Sequence, residues 1–449
     1  MEHGEYSSER GQETEPLLDK NQPVCWNAAT VVLGLYLVAF GSGGVKGSLL
    51  PLGADQFDDK NLAQREQKGL FFNCFYVCIT TGILISGTLI VWVQENVDWA
   101  IGFSICTLCL ALALSALIIS KPVYRLRTPS GSPLKRILQV LVASFRKRSS
   151  EIPTDTNLFY EIKDKNSKQQ RLQHTNEFRF LDKAAIVSDT DHLDDGEHQN
   201  PFRLCTITEV EELKALLRLL PVWTTGIIFQ AALAQIFTTF IQQGSTMDTK
   251  IWSFSIPPST LLSFEVMSVM LWVLLYNKII VPITKKWFSN GVGLTQLHRM
   301  GIGRFLSISA MATAALLERK RLERINNGSG LTNIAWQLPQ YFIFASSEMF
   351  NNISQVEFFY DQAPGSMKSL CSAFGLLTIA LGSYLSSFII TVVQLVTARD
   401  GSMGWIPDDL NNGHLDHFFW AFAGISAVNF TFYVAFARNS TLKKVILEI

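Results

Sequence analysis

The sequence lacks the motifs of the common enzymes and of ATP-driven pumps. It contains no GxxxxGK[ST] phosphate-binding loop, and no HExxH or GxSxG stands in an apolar run. We therefore predict that the chain is not an enzyme and that it holds no metal ion and no organic cofactor.

Charge is also scarce. Only 17% of the 449 residues are charged, and the 38 basic side chains equal the 38 acidic ones in number. A net charge of zero gives no general attraction to nucleic acid, so no nucleic-acid partner is predicted. Seven cysteines lie mostly inside apolar runs, where Cys106 and Cys109 are best interpreted as small apolar helix residues; a redox or zinc role would need accessible thiolates.

What the sequence has in abundance is apolar length. Hydrophobic residues make up 48% of the chain and 31 residues are Phe, a composition typical of a polytopic protein in a lipid bilayer. Nine apolar segments are predicted as membrane helices, of which the sixth is marginally short. They are residues 27–50, 71–93, 99–119, 213–241, 257–281, 301–317, 334–359, 371–397 and 414–437.

A long polar stretch, residues 121–212, separates the first three segments from the last six. It predicts a linker with an amphipathic helix from Leu134 to Phe145, whose apolar face comprises Ile137, Leu138, Leu141, Val142 and Phe145. Its many basic residues place it in the cytoplasm. The predicted domains are a polar tail 1–24, a helical part 25–120, the linker 121–212, a six-helix bundle 213–438 and a cytoplasmic tail 439–449.

Four of the charged residues within the apolar segments are informative. Glu348 lies about ten residues into its segment, and a carboxylate at that depth costs at least about 2.5 kcal/mol unless it faces a protein interior or a cavity. Glu265 is a second such carboxylate, either lining the same cavity or acting as a structural partner. Lys46 follows three glycines, Gly41, Gly43 and Gly44, that permit close helix contact. Arg304 is close enough to the start of its segment to snorkel to the interface.

Four sequence blocks are distinctive: GSGGVKGSLLPLGADQFD at 41–58, FFNCFY at 71–76, EFFYDQAPGSMKSLCSA at 357–373 and GWIPDDLNNGHLDHFFW at 404–420. They resemble the proton-coupled oligopeptide transporter family, and more narrowly its plant nitrate/peptide branch. The linker blocks at 131–153, 181–189 and 202–223 resemble the di- and tripeptide carriers of that branch. The resemblance implies an all-α membrane fold of the major facilitator type. Family members have twelve helices in two bundles of six.

By this resemblance the nine segments correspond to family helices four to twelve. The N-terminal bundle would then be incomplete, with three helices, and the C-terminal bundle complete. The acidic ExxER or ExxEK motif of the first family helix, used in proton coupling, occurs in no apolar segment. We therefore expect that counterparts of the first three helices are absent.

The resemblance also implies a substrate site. Lys46 would hold the carboxylate of a zwitterionic peptide, and Glu348 its amino group. Tyr76 and Thr80 stand in FYVCIT, where relatives often have FYxxIN, so Thr80 replaces an asparagine that contacts peptide backbone. Leu233 stands where nitrate-carrying relatives have a histidine, which lowers the rank of nitrate.

Two functions of different class follow. The first is a proton-coupled secondary transporter of small peptides, with nitrate or another small organic anion as the alternative substrate. The second is a shortened, non-transporting membrane protein that associates with full-length relatives. In both, the protein is integral to a membrane, either the vacuolar or the plasma membrane, with the lipid bilayer as its surroundings.

Overall fold

The computed structural model describes residues 24–57, 62–125, 132–149, 151–153, 158–161, 174–187, 200–251, 254–287, 294–363, 367–398 and 403–439. Apart from Val24 and Asn439, the two predicted polar tails lie outside the described residues, as do parts of the predicted linker.

Helices dominate the described residues. Before and within the linker they are α1 (Val24–Ala54), α2 (Leu62–Ile85), α3 (Val91–Asn96), α4 (Trp99–Ser120) and α5 (Pro133–Arg146). After the linker they are α6 (Ile207–Leu233), α7 (Thr239–Ser245), α8 (Thr260–Leu275), α9 (Val281–Trp287), α10 (Gln296–Asn326), α11 (Leu338–Glu348), α12 (Ser354–Gln362), α13 (Lys368–Thr397) and α14 (Leu415–Asn439). A short hairpin joins β1 (Lys250–Ile251) to β2 (Phe254–Ser255).

Three wide-turn π segments make pairs of these helices continuous. Ser86–Ile90 joins α2 to α3, Tyr276–Ile280 joins α8 to α9, and Met349–Ile353 joins α11 to α12. A π turn inserts an extra residue per turn and shifts the side chains that follow it around the helix axis. The sequence did not predict these turns.

Helix starts follow local capping chemistry. Thr206 and Glu209 form a capping box at the start of α6, Thr295 accepts from the His298 backbone N–H at α10, and the Asp98 carboxylate accepts from the Ala100 N–H at 2.6 Å. Pro133 occupies the first turn of α5, where its missing N–H is not needed.

Eight of the nine predicted membrane helices are confirmed. Eight helical stretches of the described residues are long and apolar enough to cross a bilayer, including the marginal sixth segment, which becomes the 31-residue α10. The stretch α11–π–α12, which carries Glu348, is helical over 338–362 but is not one of the eight. Its eight amide and carboxyl side chains are Gln340, Glu348, Asn351, Asn352, Gln355, Glu357, Asp361 and Gln362.

The helices after the linker pack into one bundle. Its apolar core joins α6, α7, α10, α11 and α14 through side chains such as Phe240, Phe344 and Phe418. Gly303 permits a close contact, because a Cβ there would lie 2.7 Å from the backbone N of Asn351 and 2.8 Å from the carbonyl of Ser347. Helix α10 therefore lies directly against the π segment that follows Glu348.

The helices before the linker are far less covered. Most residues of α1 and α4 are exposed, and the exposed side chains are apolar, as in Phe40 and Leu110. Helix α1 contacts α13, and α2 contacts α8. In a membrane protein such apolar surfaces face lipid or another helix.

The linker forms a small folded unit on the start of α6. The predicted amphipathic helix is present as α5, but the face that it buries differs from the predicted apolar face: Val140 and Ala143 are buried, whereas Leu138 and Phe145 are exposed. The reason is that α5 packs on the turn Arg179–Ala185, which the helical periodicity of α5 alone does not locate. A buried ion cluster around Lys214 fastens this unit to α6.

Candidate functional site

Glu348 ends α11 at the point where the helix widens into the π segment Met349–Ile353. Its side chain is partly buried. Single π turns occur frequently at functional sites, because they redirect side chains without breaking the helix. The prediction that this carboxyl group faces the protein interior therefore agrees with the geometry.

Tyr76, on α2, reaches Glu348 across the contact between the parts of the chain before and after the linker. Its phenol O–H donates to Glu348 Oε1 at 2.5 Å. A hydrogen bond to a carboxyl group over so short a distance belongs to the strong class. Two residues that the sequence analysis assigned to one site are thus in direct contact.

Glu265, on α8, is 4% exposed and lies close to Glu348. A carboxylate is an acceptor only, so a hydrogen bond between the two carboxyl groups requires a proton on one of them. Glu265 Oε1 has no hydrogen-bond partner in the described part of the chain. The pair is therefore a site where a proton can be held in common between α8 and α11.

A set of amide side chains that was not predicted from the sequence surrounds Glu265 and Glu348. Asn352 donates to Glu348 Oε1 at 3.4 Å, and Gln230 on α6 donates to Asn352 Oδ1 at 3.1 Å. Asn351 donates to Asn352 at 3.2 Å and to Gln355 at 3.2 Å. The signal was present in the sequence, since five amides are unusual in one apolar segment of membrane-spanning length, 334–359. They are Gln337, Gln340, Asn351, Asn352 and Gln355.

The prediction that Arg304 snorkels to the membrane interface is wrong. Its side chain is only 2% exposed inside the bundle, and its Cζ lies 3.9 Å from the centroid of the Tyr433 ring. Its guanidinium donates to the Thr225 hydroxyl and, over 3.4 Å, to Asn351 Oδ1. The reason is the helix start: α10 begins at Gln296, five residues before the predicted segment, so Arg304 lies deeper than its sequence position suggested.

Two predicted substrate residues are placed differently. The Thr80 hydroxyl lies one turn from Tyr76 but donates to backbone carbonyls of its own helix, Tyr76 at 3.1 Å and Val77 at 3.0 Å. Lys46 is exposed on α1 and makes no hydrogen bond or ion pair with another described residue. Their roles in substrate binding stay predictions.

The end of the bundle nearest the linker is closed by contacts between the two parts of the chain. The Tyr360 phenol donates to Asp55 at 2.8 Å, and Lys68 pairs with Asp361 at 3.3 Å. Asn73 donates to Asn277 Oδ1 at 3.1 Å. The side chains come from α2, from the turn that ends α1, from α12 and from the π segment after α8.

Acidic residues after Glu348 brace this same end within the bundle. Arg299 of α10 forms an ion pair with Glu357, and its Nε donates to Ser354 at 2.7 Å. Gln296 donates to Asp361 at 2.7 Å. The linker end is therefore held by ion pairs, while the protonatable pair lies deeper in the bundle.

The far end of α10 combines basic and acidic residues. Residues 318–324 include Arg319, Lys320, Arg321 and Arg324 together with Glu318 and Glu323. Arg321 and Glu318 are fully buried and paired, at 2.6 Å between Nη2 and Oε1, and Arg319 pairs with Glu323 at 3.2 Å. Two of the four cations are thus neutralised along one helix.

Taken together, the long apolar helices around buried carboxyl groups define an integral, multi-pass membrane protein. A family model described as PTR2, POT family, matches residues 10–406. The chain belongs to this family, whose members are transporters.

Among relatives from Arabidopsis thaliana, the chain is 48% identical over 421 residues to Protein NRT1/ PTR FAMILY 8.3, covering 92% of this chain and 72% of that protein. It is 44% identical over 438 residues to Protein NRT1/ PTR FAMILY 8.1, covering 95% and 77%. These relatives confirm the resemblance to the plant nitrate/peptide branch.

Two solved structures have a similar fold. An auto-inhibited POT family peptide transporter gives a TM-score of 0.63 at 20% identity and covers 93% of this chain and 78% of its own. The POT family transporter PepTSo gives 0.59 at 18% identity and covers 91% and 78%. At these identities the likeness concerns the fold alone, and it confirms the all-α, major facilitator type.

Proposed function

We propose that the chain is a proton-coupled transporter of small peptides that works by alternating access. The observation that carries the proposal is the convergence of Tyr76, Glu265 and Glu348 from α2, α8 and α11. One proton can be held at this place, and the contact joins the two parts of the chain whose relative movement would open and close a path.

A carboxyl group in this position suits a substrate with an amino group. An ionised Glu348 attracts an ammonium group and gives it a charge-assisted hydrogen bond, worth about 1.5–3 kcal/mol. Symport requires the proton and the substrate to be carried together, because two cations that exclude each other at one carboxylate would be exchanged in opposite directions. We therefore assign the proton to Glu265 of the pair while Glu348 holds the ammonium group, and transfer of that proton to Glu348 would release the substrate.

Two residues, Leu233 and Lys46, favour a small peptide over nitrate as the substrate. Leu233, at the position of the histidine in nitrate-carrying relatives, packs in an apolar core beside Phe240 and offers no charge to an anion. Lys46 is the proposed partner of the peptide carboxylate. Because Lys46 is exposed on α1 in this conformation, we expect that it meets substrate in another stage of the transport cycle.

Uptake of a labelled dipeptide by peptide-transport-deficient yeast tests the proposal. The parent chain should take up dipeptide faster in acidic medium, and excess unlabelled dipeptide should compete where nitrate does not. Glu348→Gln should lower uptake about tenfold or more, given the hydrogen-bond energy above.

The matched control is Glu323→Gln. It also removes one carboxylate, but from an exposed pair with Arg319 at the far end of α10. Its uptake should equal that of the parent at equal membrane abundance. Competition by nitrate instead of dipeptide would contradict the peptide assignment, and equal losses in both variants would contradict the role of Glu348.

A second candidate function is favoured by Lys46. A lysine on an exposed apolar helix at membrane depth usually faces a protein partner, so α1 could cover a neighbouring chain instead of lipid. The chain would then associate with another member of the family without transporting. Co-expression with a tagged family member tests this: specific co-purification that Lys46→Leu weakens would support it, and a monomer with dipeptide uptake would contradict it.

A further inference from the structure

Arg304 carries a positive charge that its immediate surroundings do not neutralise. It is buried in the bundle and contacts a hydroxyl, an amide oxygen and the Tyr433 ring, all of them neutral. No ion pair to Arg304 occurs among the residues that the structure describes, and its Nη2 has no hydrogen-bond partner there. A buried cation without an anion costs several kcal/mol, so such residues are rare unless they serve a function.

A chain of hydrogen bonds leads from this cation to the proton-holding carboxyl group. Arg304 Nε donates to Asn351 Oδ1 at 3.4 Å, Asn351 Nδ2 donates to Asn352 Oδ1 at 3.2 Å, and Asn352 Nδ2 donates to Glu348 Oε1 at 3.4 Å. Each amide therefore turns its carbonyl toward Arg304 and its NH₂ toward Glu348.

The chemistry of the two ends imposes this order. A guanidinium can only donate and a carboxylate can only accept, so the asparagines between Arg304 and Glu348 have a single orientation that satisfies both. Hydrogen bonds in such a chain polarise one another, and the aligned amide dipoles present their positive ends to the carboxylate. The chain thus extends the effect of the buried charge across the bundle.

We propose that Arg304 is a positioning residue for Glu348: it acts through Asn351 and Asn352 as the counter-charge of the ionised carboxylate and sets the pH range in which Glu348 accepts a proton. Its use in transport rests on the proposed function, but the electrostatic link does not.

The other groups around Glu348 come from every element packed against it. Tyr76 of α2 donates a hydrogen bond, Glu265 of α8 is a second carboxyl group, and Gln230 of α6 is neutral and bonded to Asn352. Among the described residues in this set, Arg304 of α10 supplies the cation. Removing it should therefore make the ionised form of Glu348 less stable, so the carboxyl group keeps its proton to a higher pH.

Carbodiimide labelling measures this without any need for transport. Dicyclohexylcarbodiimide reacts with protonated carboxyl groups in apolar surroundings, and mass spectrometry of the peptide that contains Glu348 reports its protonation as a function of pH. In purified protein reconstituted into liposomes, Arg304→Leu should move the labelling midpoint upward by on the order of one pH unit. Glu348→Gln is the blank.

Two further variants separate the link from a merely structural role. Arg304→Lys keeps the charge and should stay near the parent midpoint, while Asn352→Leu keeps Arg304 but interrupts the chain and should shift the midpoint in the same direction as Arg304→Leu. If Arg304→Leu does not fold, these two variants supply the comparison. A midpoint that is unchanged in Arg304→Leu or, where that variant does not fold, in Asn352→Leu overturns the proposal.

The result also separates this inference from the proposed function. A shifted midpoint in a chain without dipeptide uptake supports the link and counts against the transporter. If the chain takes up dipeptide but the pH midpoint of Glu348 labelling is the same in the parent and in Arg304→Leu, the transporter assignment is supported and the link to Arg304 is overturned.

Discussion

Replacing Lys214 with Met should weaken the protein more than any exposed charge change. Lys214 is fully buried, with Asp182 Oδ1 at 2.6 Å, Glu211 Oε1 at 2.8 Å and the Thr175 carbonyl at 2.9 Å around its ammonium group. Met has a similar length but no charge, so two carboxylates would remain buried with their cation gone.

The magnitude follows from the burial. Removing one partner of a buried ion pair costs about 3–5 kcal/mol, because the other partner is left uncompensated. At about 2 °C per kcal/mol, the lower end of the range for domains of roughly 250 residues, the unfolding midpoint should fall by about 6–10 °C. Thermal unfolding of the detergent-solubilised protein, followed by tryptophan fluorescence, measures this. Limited proteolysis should show earlier cleavage in the linker.

Arg319→Met is the matched control for Lys214→Met. Arg319 also pairs with a carboxylate, Glu323 at 3.2 Å, but the side chains are 68% and 59% exposed. Such exposed pairs contribute about 0–1 kcal/mol, so the midpoint should hardly move. Equal midpoints for the two variants would refute the reasoning, since the linker unit would then not depend on its buried cation.

Three further results are expected. Tyr76→Phe removes the O–H that donates to Glu348 and should lower dipeptide uptake on the order of tenfold; an unchanged rate would contradict a role of this contact in the cycle. Lys68→Met and Asp361→Asn each break the link at the linker end, where Asp361 is 38% exposed, so each should change uptake only a few-fold and the double variant no further. Burial, with the nearby Glu209 carboxylate, raises the pKa of the Cys205 thiol to about 12. Near pH 8 the alkylation of Cys205 by maleimide should therefore be about a thousandfold slower than that of a free thiol. Rapid labelling of Cys205 in the folded protein would contradict its buried placement.

The helices were predictable because a membrane helix requires a long run of apolar residues, which the sequence shows directly. Every predicted segment contains helix in the described residues, with ends that differ by several residues where polar turns extend the helix. The start of α10 is the clearest case, since Thr295 caps it in a region too polar for a hydropathy criterion. That small error also misplaced Arg304.

The site was only partly predictable. Glu348, Glu265 and Tyr76 could be singled out, because a charge or an exceptional motif in an apolar run needs an explanation. What the sequence could not supply is which helices face each other and how the π segment after Glu348 turns Asn351 and Asn352. The chain of amides to Arg304 depends on both, and so does the contact between Glu265 and Glu348.

Proton movement driven by a peptide gradient tests the central claim most directly. Purified protein in liposomes loaded with a pH-sensitive dye should acidify the interior when dipeptide is added outside, and Glu348→Gln should abolish the signal while Glu323→Gln keeps it. Dipeptide entry without acidification in the parent, or acidification that persists in Glu348→Gln, would contradict a transport cycle built on this carboxyl group.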